Sequence, residues 1–180
     1  LNNKLSASFD YYIKKTKDWL VEAPVLDIMG ADAPFINAGN VETRGFEIAL
    51  GFSDNIGDFN YSINANAAHN KNEVTYIGTA SGFLEGGGNL LYTNAANIYR
   101  AEAGNPIGYF YGLKTAGMFQ TQQEVEQWGV QPGARPGDIK FVDVSGPEGS
   151  PDGMIDENDR TMIGDPNPDY IFGLTLSASY

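Results

Sequence analysis

The sequence contains no cysteine, so neither a disulfide framework nor a thiolate metal site is open to it. No run of about 18 apolar residues occurs either, which excludes a transmembrane helix. Charge is sparse, at 19% of residues, and leans one way: 11 basic side chains stand against 23 acidic ones, a formal net charge of −12. Taken over the whole chain, that sign repels nucleic acid and anionic lipid headgroups, and neither is an expected partner. There is one histidine, His69, set among asparagines where a surface or loop role outweighs catalysis. No G-x-S-x-G elbow, H-E-x-x-H helix or phosphate-binding loop is present, so the expectation is a protein that is not an enzyme. Leu1-Asn2-Asn3-Lys4 leads straight into an alternating segment and does not read as a secretory leader, and both ends read as cut from something longer.

What the chain does have is glycine, 22 residues of it, aromatics at 12%, and strict period-two alternation. Leu5, Ala7, Phe9, Tyr11 and Ile13 face one way, against Ser6, Ser8, Asp10, Tyr12 and Lys14. Phe46, Ile48, Leu50 and Phe52 alternate with Gly45, Glu47, Ala49 and Gly51. Phe59, Tyr61, Ile63, Ala65 and Ala67 alternate with Asn60, Ser62, Asn64, Asn66 and Ala68. Phe172, Leu174, Leu176, Ala178 and Tyr180 alternate with Gly173, Thr175, Ser177 and Ser179. Each run approaches the ~9–11 residues that a tilted strand needs to cross a bilayer.

A soluble β-sandwich also alternates. Two features favour a membrane barrel instead. The polar face is Ser, Asn, Gly and Ala, which suits a packed interior better than open water. The connections also alternate in length, as short periplasmic turns and long external loops do. Lys15 to Asn40, with Pro24 and Pro34, is long; Ser53 to Asp58 is short; a Gly-rich stretch through Glu85-Gly86-Gly87-Gly88-Asn89 is long. A weaker strand around Tyr92 to Ala103, a tight turn at Gly104-Asn105-Pro106 and a strand from Ile107 to Lys114 follow, then a long excursion from Thr115 to Asp169. The expected fold is therefore all-β: about six antiparallel up-and-down strands of a partial transmembrane β-barrel, with long external loops and one short helix. That helix is set by the capping box Thr121-Gln122-Gln123-Glu124, with Gly129 to end it.

The residues with specific chemistry are acidic. Eight carboxylates lie between Asp143 and Asp169. Read as a calcium loop, Asp152 takes position five, so that Gly153, Ile155 and Asp159 fall at six, eight and twelve. Met154 then offers its carbonyl, Asp156 the ninth position, and Asp143 and Ser145 positions one and three, with about five residues bulging out between them. The candidate ligands for Ca²⁺, the one cofactor expected, are thus Asp143, Ser145, Asp152, Met154, Asp156 and Asp159. The competing reading is a solvated acidic turn with Arg160 as counter-ion. Trp19, Phe35, Phe83, Tyr92 and Trp128 are candidate sugar-stacking platforms, with local packing the plainer role for each.

Four motifs in order resemble the SusC/RagA family of TonB-linked outer-membrane receptors. Asn37-Ala38-Gly39-Asn40-Val41-Glu42-Thr43-Arg44-Gly45-Phe46-Glu47 is similar to the family's N-x-G-x-V-x-N-R-G-F-E, with Thr43 in place of its usual Asn. The others are Gly104 to Gly112 followed by Gly117-Met118-Phe119-Gln120, then Gln131 to Phe141, then Asp156 to Arg160 with Ile163-Gly164-Asp165-Pro166 and Pro168. The resemblance implies that residues 1–180 are a segment from the C-terminal part of a receptor barrel domain of roughly 22 strands, without its plug domain or remaining strands. It further implies import of an oligosaccharide or peptide, a SusD-like surface lipoprotein as partner, the TonB complex as energy source through the missing N-terminal part, and an outer-membrane location. The family's acidic loop is compact, whereas here Pro147-Glu148-Gly149-Ser150-Pro151 is inserted. The rival reading is a soluble, secreted β-rich glycan-binding or adhesin module with a calcium-stabilised loop.

Overall fold

A computed structural model describes residues 4–22, 30, 32, 34–93 and 95–180. Pro24 of the first long connection lies outside them. In chain order the strands are β1 (Leu5–Glu22), β2 (Phe35–Ile56), β3 (Phe59–Ile77), β4 (Phe83–Gly86), β5 (Tyr99–Glu102), β6 (Tyr109–Leu113), β7 (Thr115–Met118), β8 (Ile139–Phe141), β9 (Arg160–Gly164) and β10 (Tyr170–Ser179). Helix α1 (Gln122–Trp128) lies between β7 and β8, and one 3₁₀ turn (Glu157–Asp159) precedes β9. The chain divides into two compact units: residues 1–84, 101–107 and 167–180, and residues 85–100 and 108–166.

The first unit is a four-stranded antiparallel sheet in the order β1-β2-β3-β10. Its register is continuous from Leu5↔Phe52 to Thr16↔Val41 and from Ile56↔Phe59 to Val41↔Val74, with one irregularity between Asn40 and Val41. The turn between β2 and β3 shrinks to Gly57-Asp58, because pairing runs right up to Ile56 and Phe59. Gly57 has φ 61°, the left-handed backbone that a two-residue hairpin demands and that glycine supplies without steric cost. β1 and β2 bulge where Asp18, at φ 55°, donates its N–H to Asn40 Oδ1 at 3.0 Å. The small buried cluster is Val74, Ile77 and Ala101, flanked by Val41, Leu84 and Ile107. Here Gly104 and Asn105 bond the edge of β3 directly: Gly104 N–H to the Val74 carbonyl at 2.8 Å, Val74 N–H to the Asn105 carbonyl at 2.9 Å.

Four long strands, not six, make this sheet. The strands expected around Tyr92 to Ala103 and Ile107 to Lys114 are the short β5 and β6, four and five residues long, and they sit in a separate sheet ordered β4-β5-β6-β9. Neither reaches the length of a bilayer crossing. Their alternating residues serve local packing instead. The first connection is also shorter than expected: residues 15–22 and 35–40 belong to β1 and β2 and pair with one another, so that residues 23–34 alone join the two strands.

The second unit carries the β6–β9 pairing, the two-stranded β7–β8 sheet and α1. Thr121 caps α1 as expected, its hydroxyl accepting the Glu124 N–H at 3.2 Å, and Gly129 ends it at φ 70°. Glu124 reaches back one residue further than a capping box requires, to the Gln120 N–H at 2.6 Å. That N–H and the ammonium of Lys140 hold the Glu124 carboxyl below the usual carboxylate range.

Candidate functional site

The register of the first unit sorts its side chains into rows. On one face the rows are Leu5, Phe52, Ile63 and Leu176; then Ala7, Leu50, Ala65 and Leu174; then Phe9, Ile48, Ala67 and Phe172; then Tyr11, Phe46, His69 and Tyr170. The aromatic row is joined ring to ring, with Phe46 to His69 at 5.5 Å and His69 stacked on Tyr170 at 4.5 Å. His69 is thus a member of this row, its Nδ1 at 2.9 Å from the Asp169 carbonyl oxygen. At the other end Phe52, Tyr61 and Phe59 form a second aromatic group, at 6.0 and 6.1 Å. From Tyr61 to His69 along β3, at ~3.3 Å per residue and a ~40° tilt, the height is about 20 Å, close to the apolar band of an outer-membrane barrel. These side chains are open: Phe9 is 66% exposed, Phe172 75% and Leu176 67%.

The opposite face presents Ser6, Gly51, Asn64 and Thr175, then Ser8, Ala49, Asn66 and Gly173. At Gly45, on this face, there is no room for a side chain. A Cβ on Gly45 would lie 2.6 Å from both the His69 carbonyl oxygen and the Tyr12 hydroxyl, because the Tyr12 ring lies flat across that glycine.

The acidic stretch is organised by its own backbone. Asp159 is fully buried. Its Oδ1 accepts the N–H groups of Val144 (2.8 Å) and Ser145 (3.2 Å), and its Oδ2 accepts that of Asp156 (2.8 Å). Burial pushes this carboxyl up, yet the N–H groups of Asp156, Ser145 and Val144 together outweigh it and hold the pKa below the ordinary value. Asp156 caps the 3₁₀ turn through the Asn158 N–H at 2.7 Å, reciprocating with Asp159. Asp143 Oδ2 accepts the Gly153 N–H at 2.6 Å, and Asp152 Oδ1 the Met154 N–H at 3.0 Å. Asp143 Oδ1 is buried without a hydrogen-bond partner. Ser145 Oγ turns to the Gly146 carbonyl at 3.5 Å, and the Met154 side chain is exposed.

Among the described residues no three His, Cys, Asp or Glu side chains gather where an ion would sit. The carboxylates of Asp156 and Asp159 are committed to N–H groups, and Asp143 Oδ1 is buried among the described residues without a hydrogen-bond partner. The six expected ligands lie in this one loop, with most of their hydrogen-bonded oxygens taken up by its own backbone N–H groups. Arg160 does more than balance charge: it donates to the carbonyls of Asn97 and Tyr111 and pairs with Glu157 at 3.2 Å. Arg100 lies 3.7 Å from the Tyr111 ring centre, pairing with Glu85 at 2.8 Å, and Arg160 lies 4.8 Å from the same ring. Sequence reading missed this double stack, since neither spacing nor alternation joins residues 100, 111 and 160. Of the aromatic candidates, Trp128 is tied down by its indole N–H to the Phe141 carbonyl at 3.0 Å, and Trp19 packs on Gly39. Phe35 and Tyr92 are exposed and Phe83 is half-buried.

Against known proteins, TonB-dependent receptor P3 of Formosa agariphila is 32% identical over 99% of this chain, and TonB-dependent receptor P26 of the same organism is 28% identical over 99%. The chain belongs to the TonB-dependent receptors. It spans under a fifth of those relatives' length, 18% and 17%. No family profile matches it. Among solved structures, that of the RagAB peptide transporter matches with a TM-score of 0.69 at 23% identity, over 99% of this chain and 18% of that one. The same importer in its closed-closed state matches equally, at 0.69. The fold is therefore an all-β, antiparallel portion of a receptor barrel, like that in the RagAB structures, with one short helix.

Proposed function

We propose that this chain is part of the wall and outer rim of an outer-membrane importer that takes in an oligosaccharide or a peptide. Energy comes from the TonB complex through a plug domain carried elsewhere in the receptor, and a SusD-like surface lipoprotein closes over the outer face. The observation that carries this reading is the exposed apolar face bounded by two aromatic groups about 20 Å apart in height, near the ~25 Å apolar band of such barrels. The receptor and transporter names of the relatives support it, and support a transporter in preference to an enzyme.

The test places one arginine on each face of β10 in the intact receptor. Leu174→Arg puts a cation against hydrocarbon and costs about 2–4 kcal/mol, so little folded receptor reaches the outer membrane. Thr175→Arg, one residue on, leaves assembly intact. Equal tolerance of both overturns the reading. Uptake of labelled oligopeptides and oligosaccharides, with the TonB complex active and inactivated, then identifies the cargo class.

For the acidic loop we propose a Ca²⁺ site that forms only on rearrangement, built round Asp143 with Ser145, Asp152, the Met154 carbonyl, Asp156 and Asp159. Its support is the uncommitted, buried Asp143 Oδ1. Protease resistance of this loop in the intact receptor rises at millimolar Ca²⁺, and Asp143→Ala abolishes the gain. No change in the unmodified receptor removes calcium from the account.

A further inference from the structure

Above the upper aromatic row the outward face changes character within one residue pair. Ile13, Arg44 and Lys71 form the next row, and Lys15, Glu42 and Glu73 the one after. By the two-residue period this charged row begins about 5 Å above the ring of aromatics, the depth at which lipid headgroups begin. It lies toward the long connections, hence toward the outer leaflet. Glu42, Arg44, Lys71, Glu73 and Thr75 line a cavity of about 230 Å³.

The charges are arranged, not merely collected. Glu42 holds Lys15 Nζ at 3.1 Å and also accepts Arg44 Nε, which fixes both cations while leaving donors free on each. Lys71, beside Arg44 across the strand pair, makes no ion pair among the described residues. Three cations stand here against two carboxylates, in a chain whose net charge is −12. The repulsion of anionic headgroups expected from composition is thus reversed over this one patch.

We propose that the patch binds the phosphate of an outer-leaflet lipid, its acyl chains lying along the Phe46, Ile48 and Ala67 rows below. Arg44 offers a planar fork of N–H donors to phosphate oxygens, Lys71 and Lys15 supply point charges, and the Thr75 hydroxyl lines the same cavity. The proposal rests on the reading of this face as lipid-facing.

The intact receptor, purified in mild detergent, is mixed with monophosphorylated lipid A or with the same lipid stripped of phosphate, and retained lipid is counted by native mass spectrometry. The phosphorylated form is retained about tenfold better. The pair Arg44→Gln and Lys71→Gln brings retention down to that of the stripped lipid, Lys71→Arg preserves it, and Glu73→Gln raises it. Retention unchanged in the double variant, or equal for the two lipids, overturns the proposal. So does inorganic phosphate binding as well as the lipid does, since that marks a free-phosphate site. A receptor that keeps its heat-resistant barrel form while failing these tests leaves the lipid-facing reading standing. One that never forms a detergent-embedded barrel removes both.

Discussion

At the residue scale, two positions show how little freedom the backbone leaves. Gly45 is in ordinary extended strand, so its requirement is space, not conformation. Gly45→Val drives a side chain into the Tyr12 ring and the His69 carbonyl. We expect a loss of about 1–3 kcal/mol, read as a lower melting temperature of the intact receptor. Asp159 has the opposite constraint, since it is needed for what it accepts. Asp159→Asn puts an amide N–H₂ where a carboxylate oxygen now takes a backbone N–H, leaving that buried donor unpaired at about 1–3 kcal/mol. Amide hydrogen exchange at Val144, Ser145 and Asp156 should speed up accordingly. Because the folded pKa of Asp159 lies below its unfolded value, its contribution is complete above the unfolded carboxylate pKa of about 3.9 and is lost only as pH falls through the folded value. Exchange protection at those three amides should therefore hold from neutral pH to about 4 and fail at stronger acid; protection already lost near pH 6 would contradict this.

At the scale of elements, α1 depends on its ends, for it buries none of its seven residues. Thr121→Ala removes the acceptor for the Glu124 N–H and should cost about 1 kcal/mol, seen as faster proteolysis within 120–130. This helix was fully legible beforehand, because capping is chemistry between near neighbours. The long strands were legible for a related reason: period two over Leu5 to Ile13 or Phe59 to Ala67 has no helical explanation. β5 and β6 were misplaced because alternation tells which way side chains point and not which sheet receives them. Tyr109 to Leu113 alternates apart from Phe110, much as Phe172 to Ala178 does, yet pairs with Arg160 to Gly164. Likewise eight carboxylates in 27 residues announce an acidic loop, but whether each oxygen meets a cation or a backbone N–H depends on dihedral angles that composition does not encode.

At the scale of the whole molecule, the four-stranded sheet has β1 and β10 at its borders, each with one unpaired edge among the described residues. In a closed barrel those edges meet further strands. Produced alone, this chain should therefore associate edge to edge in detergent and carry no solute across a liposome membrane. Light scattering and a flux assay check both, and a monodisperse monomer that transports would contradict the account.

The hairpin at Gly57-Asp58 leaves nothing to protrude beneath the sheet, while the opposite end spills over ninety residues between Ile77 and Tyr170. The two sides of the membrane consequently see very different objects. An antibody against a tag spliced between Gly57 and Asp58 should stain cells only after they are permeabilised, whereas one against a tag at Leu90-Leu91 should stain them whole.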